Sequence, residues 1–210
     1  MTRVLLAFAL AAVGTGCPRG PVCAENGCPT ETVCELDGTC RALSVSATPT
    51  RDRHVAAADF GGTRSDQRTA PTGDLDELAL GGHVDGEVFL AFDLPEGEVS
   101  QAILVLYPVE GAIGGDRQTV RVSRVRAFEG ASLTHRTRPV VSRVGPGREL
   151  SAVPDRPVRV DVTDLLTEDP SERVHLMASG EGDGSPWRIA SPVALDAERA
   201  PRLELRLRRR

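Results

Sequence analysis

The chain has 210 residues, of which 40% are hydrophobic, and a formal charge of −5. That length and composition suit one medium domain with appendages. An acidic balance with no long single-sign run excludes a nucleic-acid surface, and aromatics at only 3% leave few rings for ligand stacking.

Met1 to Arg3 form a short basic region, and Val4 to Val13 an apolar run of signal-peptide length, too short to span a bilayer. Gly14, Thr15 and Gly16 then place small residues for cleavage just before Cys17. Residues 1–16 thus resemble a bacterial lipoprotein signal, with Gly14 where such signals carry an aliphatic residue. The chain has five cysteines, an odd number for an exported protein. Assigning Cys17 to lipid leaves Cys23, Cys28, Cys34 and Cys40, enough for two disulfides. A thioether-linked diacylglycerol plus an amide-linked chain gives the two signals that stable anchoring needs. The expectation is an exported envelope lipoprotein at the outer membrane or cell surface, with membrane contact through Cys17. The alternative is ordinary secretion with Cys17 free or paired between molecules.

Residues 17–41 show neither helical nor strand periodicity and are too few to bury a core, so cross-links must hold them. The segment contains no His, and zinc is a distant second to disulfides. Four cysteines allow three connectivities. The interleaved one, Cys23 with Cys34 and Cys28 with Cys40, is the working expectation. Residues 42–50 read as a linker.

From residue 51 to 210 the pattern is that of short strands. Arg51 to Phe60 reads as a first strand, and Leu75 to Leu80 as a second. In Glu87–Tyr107, Val88, Leu90, Phe92 and Leu94 share one face, a turn follows at Pro95 and Gly97, and Ala102 to Tyr107 is apolar throughout. That last run predicts a strand covered on both sides. Val120 and Val122 alternate with polar residues, but Val125 breaks the parity and predicts a bulge. Residues 128–150 read as irregular because of Pro139, Gly145, Pro146 and Gly147. Val158 to Val162, Val174 to Ala178 and Leu203 to Leu207 complete the strands, with a helical turn over Thr163 to Glu168. Seven to nine short strands with almost no helix predict an all-β fold, a jelly-roll β-sandwich.

Five segments in order, EVFLAFDLP, VSQAILVLY, VRVSRVRAFEGASLTHRTRP, VRVDVTDLL and APRLELRL, resemble the DNRLRE-type domain. This is a jelly-roll module of bacterial surface proteins grouped with carbohydrate-binding modules. The resemblance implies non-catalytic binding of acidic polysaccharide such as alginate. Phe128 and His135 stand where that family carries Trp, and its Asn-rich loop is replaced by Asp66 to Gly73. The Cys-rich segment resembles those of exported lipoproteins of myxobacteria-like organisms.

Trp187, the single Trp, follows a Gly/Ser loop and offers either a stacking platform or, as expected of Trp, a half-buried anchor. Tyr107 reads as core with its hydroxyl at the edge. Arg121, Arg124 and Arg159 are candidate forks for carboxylate sugars, against the plainer reading of a solvated sheet face. Asp59, Asp66, Asp74 and Asp76 could serve Ca²⁺ but lack the spacing of a dedicated loop, so structural calcium is implied by analogy alone and no cofactor is expected. Hydrolase and phosphate-binding motifs are missing, and His54, His83, His135 and His175 are scattered. The expected protein is non-enzymatic and binds polysaccharide. A structural or adhesion role against other envelope proteins is the alternative, and a polysaccharide-degrading enzyme a weaker third.

Overall fold

A computed structural model describes residues 32–34, 40–42, 50–71, 75–109, 117–153, 156–168, 171–182, 184–194 and 197–208. The chain divides into two units, Met1–Ala42 and Leu43–Arg210. In the first, strands β1 (Thr32–Cys34) and β2 (Cys40–Ala42) pair antiparallel. Cys17, Cys23 and Cys28 lie outside the described residues, as do residues 1–16, where a signal is expected.

The second unit holds β3 (Thr50–Ala56), β4 (Asp59–Thr63), β5 (Glu77–Leu80), β6 (Glu87–Asp93), β7 (Glu98–Leu106), β8 (Arg117–Val125), β9 (Val141–Ser151), β10 (Val158–Asp161), α1 (Thr163–Thr167), β11 (Arg173–Glu181), β12 (Trp187–Ala190) and β13 (Arg202–Arg208). One sheet has the order β10-β7-β13-β3 and the other β4-β6-β11-β8-β9, with β5 and β12 forming a small third pair. The last strand lies between β3 and β7, and β11 lies between β6 and β8. The first and last strands of the unit, β3 and β13, are thus neighbours in one sheet, and strands far apart in the chain pair in the other. The fold is an all-β sandwich.

Strand alternation builds the core. Val88, Leu90 and Phe92 from β6, Val120 and Val122 from β8, and Val174, Leu176 and Ala178 from β11 meet Ala102, Leu104 and Leu106 from β7 and Leu203, Leu205 and Leu207 from β13. Between β6 and β7 the chain turns at Gly97, whose φ of 138° suits a residue without a Cβ. On the opposite face of β7, Ile103 and Val105 are also buried, at 1% and 0% exposure. Arg159 and Arg202 flank Val105 across the sheet, and both bond to Glu204, which lies opposite Ile103. Long arginine stems over apolar side chains account for cover on this face.

Three departures from the sequence expectations have physical causes. Residues 51–60 do not form one strand. The chain crosses between sheets after Ala56, so β3 pairs with β13 while β4 pairs with β6. The irregularity expected at Val125 lies in the pairing with β9, where the register shifts between Arg124 and Val125 and Ser142 of β9 is the extra residue, while the register of β8 with β11 runs unbroken from Thr119 to Arg124. Val125 belongs to the outward row with Arg121 and Ser123 and is buried there against Phe89, Leu133 and Met177. The irregularities sit in β9, within residues expected to be irregular throughout. An edge strand accommodates Pro146 and two register shifts without leaving the sheet. Trp187 starts strand β12 rather than anchoring a loop.

Candidate binding cleft

The segment between β8 and β9 folds back over the outer face of the five-stranded sheet. The reason lies in the sheet itself: Phe89, Val125 and Met177 project from that face and need cover, which Leu133 and Phe128 supply. Phe128 meets Phe89 edge-on at 5.7 Å between ring centroids and His175 at 5.1 Å, also edge-on. A 3₁₀ turn at Gly130–Ser132 brings the segment down onto β4. There the Asp59 carboxylate accepts N–H bonds from Phe60 at 2.8 Å and Gly130 at 3.1 Å. A Cβ on Gly130 would stand 1.8 Å from the Phe60 carbonyl oxygen, so only glycine fits this approach. Beyond the turn, the Thr134 and Thr137 hydroxyls bond each other at 2.9 Å, and the Arg136 N–H donates to the Arg68 carbonyl at 3.2 Å.

Between this segment and the sheet lies a cleft of about 760 Å³, whose lining includes Asp59, Phe128, Glu129, Thr137, Arg173 and His175. Burial, reinforced by the Arg173 charge, pushes the His175 imidazole below its ordinary pKa and keeps it neutral at pH 7. Its Nδ1 is buried without a partner among the described residues. Arg173 reaches Asp93 at 3.4 Å, an exposed and weak pair. The cleft therefore combines an apolar ring edge with a neutral imidazole, a guanidinium and exposed hydroxyls. Such a surface suits a polyhydroxylated ligand held by hydrogen bonds and ring contact. Arg68 and Arg136 are exposed where the two loops touch, and Arg138 bonds Glu87 nearby.

A second concavity, of about 860 Å³, lies at the β6–β7 turn against α1 and the start of β11. It has Leu94, Pro95, Val99 and Leu166 among its walls and no aromatic ring.

The residues expected from sequence to bind ligand are not brought together. Trp187 is 1% exposed and part of the core, which leaves no ring face for stacking. Arg121, on the outer face of the five-stranded sheet, bonds Glu181 at 2.9 Å. Arg124 donates to the Leu165 carbonyl at 3.2 Å and the Ser171 hydroxyl at 3.0 Å, tying β8 to the segment after β10. Arg159 belongs to the other sheet and bonds Glu204 at 2.5 Å. Tyr107 accepts a hydrogen bond from Arg202, whose guanidinium stands 5.2 Å over its ring. The aspartates do not converge either. Asp59 caps backbone N–H groups, Asp66 bonds Arg64, and Asp74 lies outside the described residues. Among the described residues no group of three or more His, Cys, Asp or Glu could hold a metal ion.

The cleft residues themselves, Asp59, Arg173, His175 and Thr137, were not singled out together by sequence. One available signal was Val125, an apolar residue out of step with the core face, which implied a second apolar cluster needing a cover. No family model matches the chain, and no curated protein matches it.

Proposed function

We propose that this is a non-catalytic, exported envelope lipoprotein, anchored through Cys17, whose jelly-roll domain binds polysaccharide in the cleft beneath residues 126–140. The observation that carries the reading is the Phe128 ring set beside Arg173, His175 and exposed hydroxyls in one open cleft. The resemblance to the DNRLRE-type domain supports it, since Phe128 stands at a position where that family carries Trp. Arg173 within the cleft and Arg68 and Arg136 beside it favour an acidic polymer, whose carboxylates guanidinium groups recognise.

The test is binding of the full-length protein to a panel of acidic and neutral polysaccharides, with Phe128→Ala and Arg173→Ala alongside. Phe128→Ala is expected to weaken binding roughly 3- to 10-fold through lost ring contact. Arg173→Ala should weaken binding to acidic polymers alone. Undiminished binding by both variants would move the site elsewhere, and no binding by the folded protein would end the carbohydrate reading. Anchoring is tested separately: Cys17→Ser should shift the protein from the detergent phase to the aqueous phase.

One observation favours the second reading, a structural or adhesion role against other envelope proteins. Strand β9 is an edge strand carrying Val144 at 62% exposure, with Val140 at 63% immediately before it. Exposed apolar residues along the free edge of a sheet offer a contact surface for another protein.

A further inference from the structure

At one end of the five-stranded sheet β6 stops at Asp93, β11 starts at Arg173, β8 stops at Val125 and β9 starts at Val141. Just beyond these strand ends the Leu94 N–H donates to the Glu172 carbonyl at 2.7 Å, and the Arg126 N–H to the Val140 carbonyl at 3.0 Å. Each bond joins an apolar residue to a charged one on the neighbouring strand, acidic in the first pair and basic in the second. Leu94 is half-buried and walls the hollow at the β6–β7 turn, with Pro95 and Val99. Val140, at 63%, is the most exposed large hydrophobic residue among the described residues. Glu172 and Arg126 are exposed, and neither side chain has a partner among the described residues.

The strand order β6-β11-β8-β9 makes this end read Leu94, Glu172, Arg126, Val140. A two-fold axis normal to the sheet, placed between β11 and β8 beyond the strand ends, reverses that series. It then sets apolar against apolar and acid against base at every position. Register fits the same operation. Leu176 pairs with Arg124, so Arg126 lies level with Val174, and its pair with Val140 is set back from Leu94 and Glu172 by two residues, about 7 Å. The forward pair of one copy therefore meets the recessed pair of the other. The rim of the hollow selects the same occupant. Asp93 and Glu98 have Arg173 and Arg208 as partners, whereas Glu96, like Glu172, has none among the described residues. That acidic excess beside an apolar wall suits an apolar group accompanied by a cation, which Val140 and Arg126 supply. We propose that the protein forms a two-fold dimer through this end, with Leu94 packed against the partner's Val140 and Glu172 paired with the partner's Arg126. The proposal rests on neither the anchor nor polysaccharide binding.

The test is sedimentation velocity of the full-length protein in a density-matched neutral detergent, over roughly 1–100 μM. The expected result is a concentration-dependent dimer that weakens as salt rises. Each contact occurs twice in such a dimer, so Glu172→Arg or Arg126→Glu should weaken it roughly 10- to 100-fold. Combining the two reversals recreates the pair with its signs exchanged and should restore association to within about 3-fold of the wild type. Val140→Glu, on a different strand, should dissociate the dimer as Glu172→Arg does, and urea unfolding shows which variants remain folded. A monomer throughout the range, or a folded double variant as weak as the single ones, overturns the proposal. Association that no variant alters overturns it in favour of contact through the anchor or along the free edge of β9.

Discussion

Replacing Gly130 by alanine tests whether the cleft is built by the close approach of its cover to β4. The added Cβ would lie 1.8 Å from the Phe60 carbonyl oxygen and 2.6 Å from an Asp59 carboxylate oxygen, where real Cβ contacts essentially never fall below 3.0 Å. The nearer obstacle is backbone, so no rotamer change relieves it. The 3₁₀ turn must lift by roughly 1 Å, which breaks the Gly130 N–H bond to Asp59 and loosens Leu133 and Phe128 over the sheet. A hydrogen bond to a charged group contributes about 1.5–3 kcal/mol, and misfit packing costs about 1–3 kcal/mol. Partial relaxation overlaps the two, so we expect a loss of about 2–4 kcal/mol. In a domain of this size that lowers Tm by roughly 5–15 °C. Urea titration and calorimetry would measure it, with Gly182→Ala as the control. At Gly182 the new Cβ would come no nearer than 3.2 Å to the Gln118 side chain and an ordinary 3.6 Å to the Arg117 carbonyl oxygen, and the expected cost stays below about 1 kcal/mol. A Gly130→Ala variant as stable as this control would refute the claim that the turn is seated on Phe60.

Three further outcomes follow from the same packing. Trp187→Ala removes the largest fully buried side chain and should cost about 3–5 kcal/mol in urea unfolding, whereas a ligand platform would lose binding with little change in stability. Glu204→Ala leaves Arg159 and Arg202 facing each other over Ile103 and Val105 without their shared carboxylate; we expect a loss of about 1–3 kcal/mol, and a change under 0.5 kcal/mol would show the network to be ornamental. His175 is held neutral in the fold, so the unfolded chain binds the proton more readily. Its contribution to stability is complete above the unfolded pKa of about 6.5 and declines as pH falls through that value toward the lower folded pKa. Melting temperatures measured from pH 7.5 to 5 should fall less steeply in His175→Gln than in the wild type, and identical slopes would count against this reading.

How much of this was legible in the sequence depends on which face a residue uses. Leu203, Leu205 and Leu207, or Val120 and Val122, announce their strands because the residues between them, Glu204, Arg206 and Arg121, are polar and form ion pairs. The alternation fails as a guide where both faces are covered, as at Val125, because an apolar residue off the core row then resembles an error of register. It fails again at β9, where Pro146 and flanking glycines signal a loop, yet an edge strand has one side free of hydrogen bonds and absorbs them as register shifts. Trp187 was ambiguous for a different reason. Its position after a Gly/Ser loop fitted both a platform and an anchor, and β5, its partner strand, lies more than a hundred residues earlier in the chain.

The arginines carry the same lesson to the candidate site. In a chain without lysine, outward arginines on strands look like a surface for anionic ligands. Register decides otherwise for most of them, because the carboxylate that engages each one belongs to another strand. Arg121 meets Glu181, Arg159 meets Glu204, Arg206 meets Asp52, Arg208 meets Glu98 and Arg188 meets Glu77. A guanidinium already forked to a carboxylate must give up that bond to accept another. Arg173 differs in two respects: its pair with Asp93 is longer, at 3.4 Å with both partners exposed, and it lines a concavity beside an aromatic ring. Capture of an acidic sugar there would displace a weak surface pair worth about 1 kcal/mol at most, whereas the same event at Arg159 would take one of its two guanidinium partners from the buried Glu204 carboxylate. The energetics therefore point to Arg173, and away from the arginines most conspicuous in the sequence.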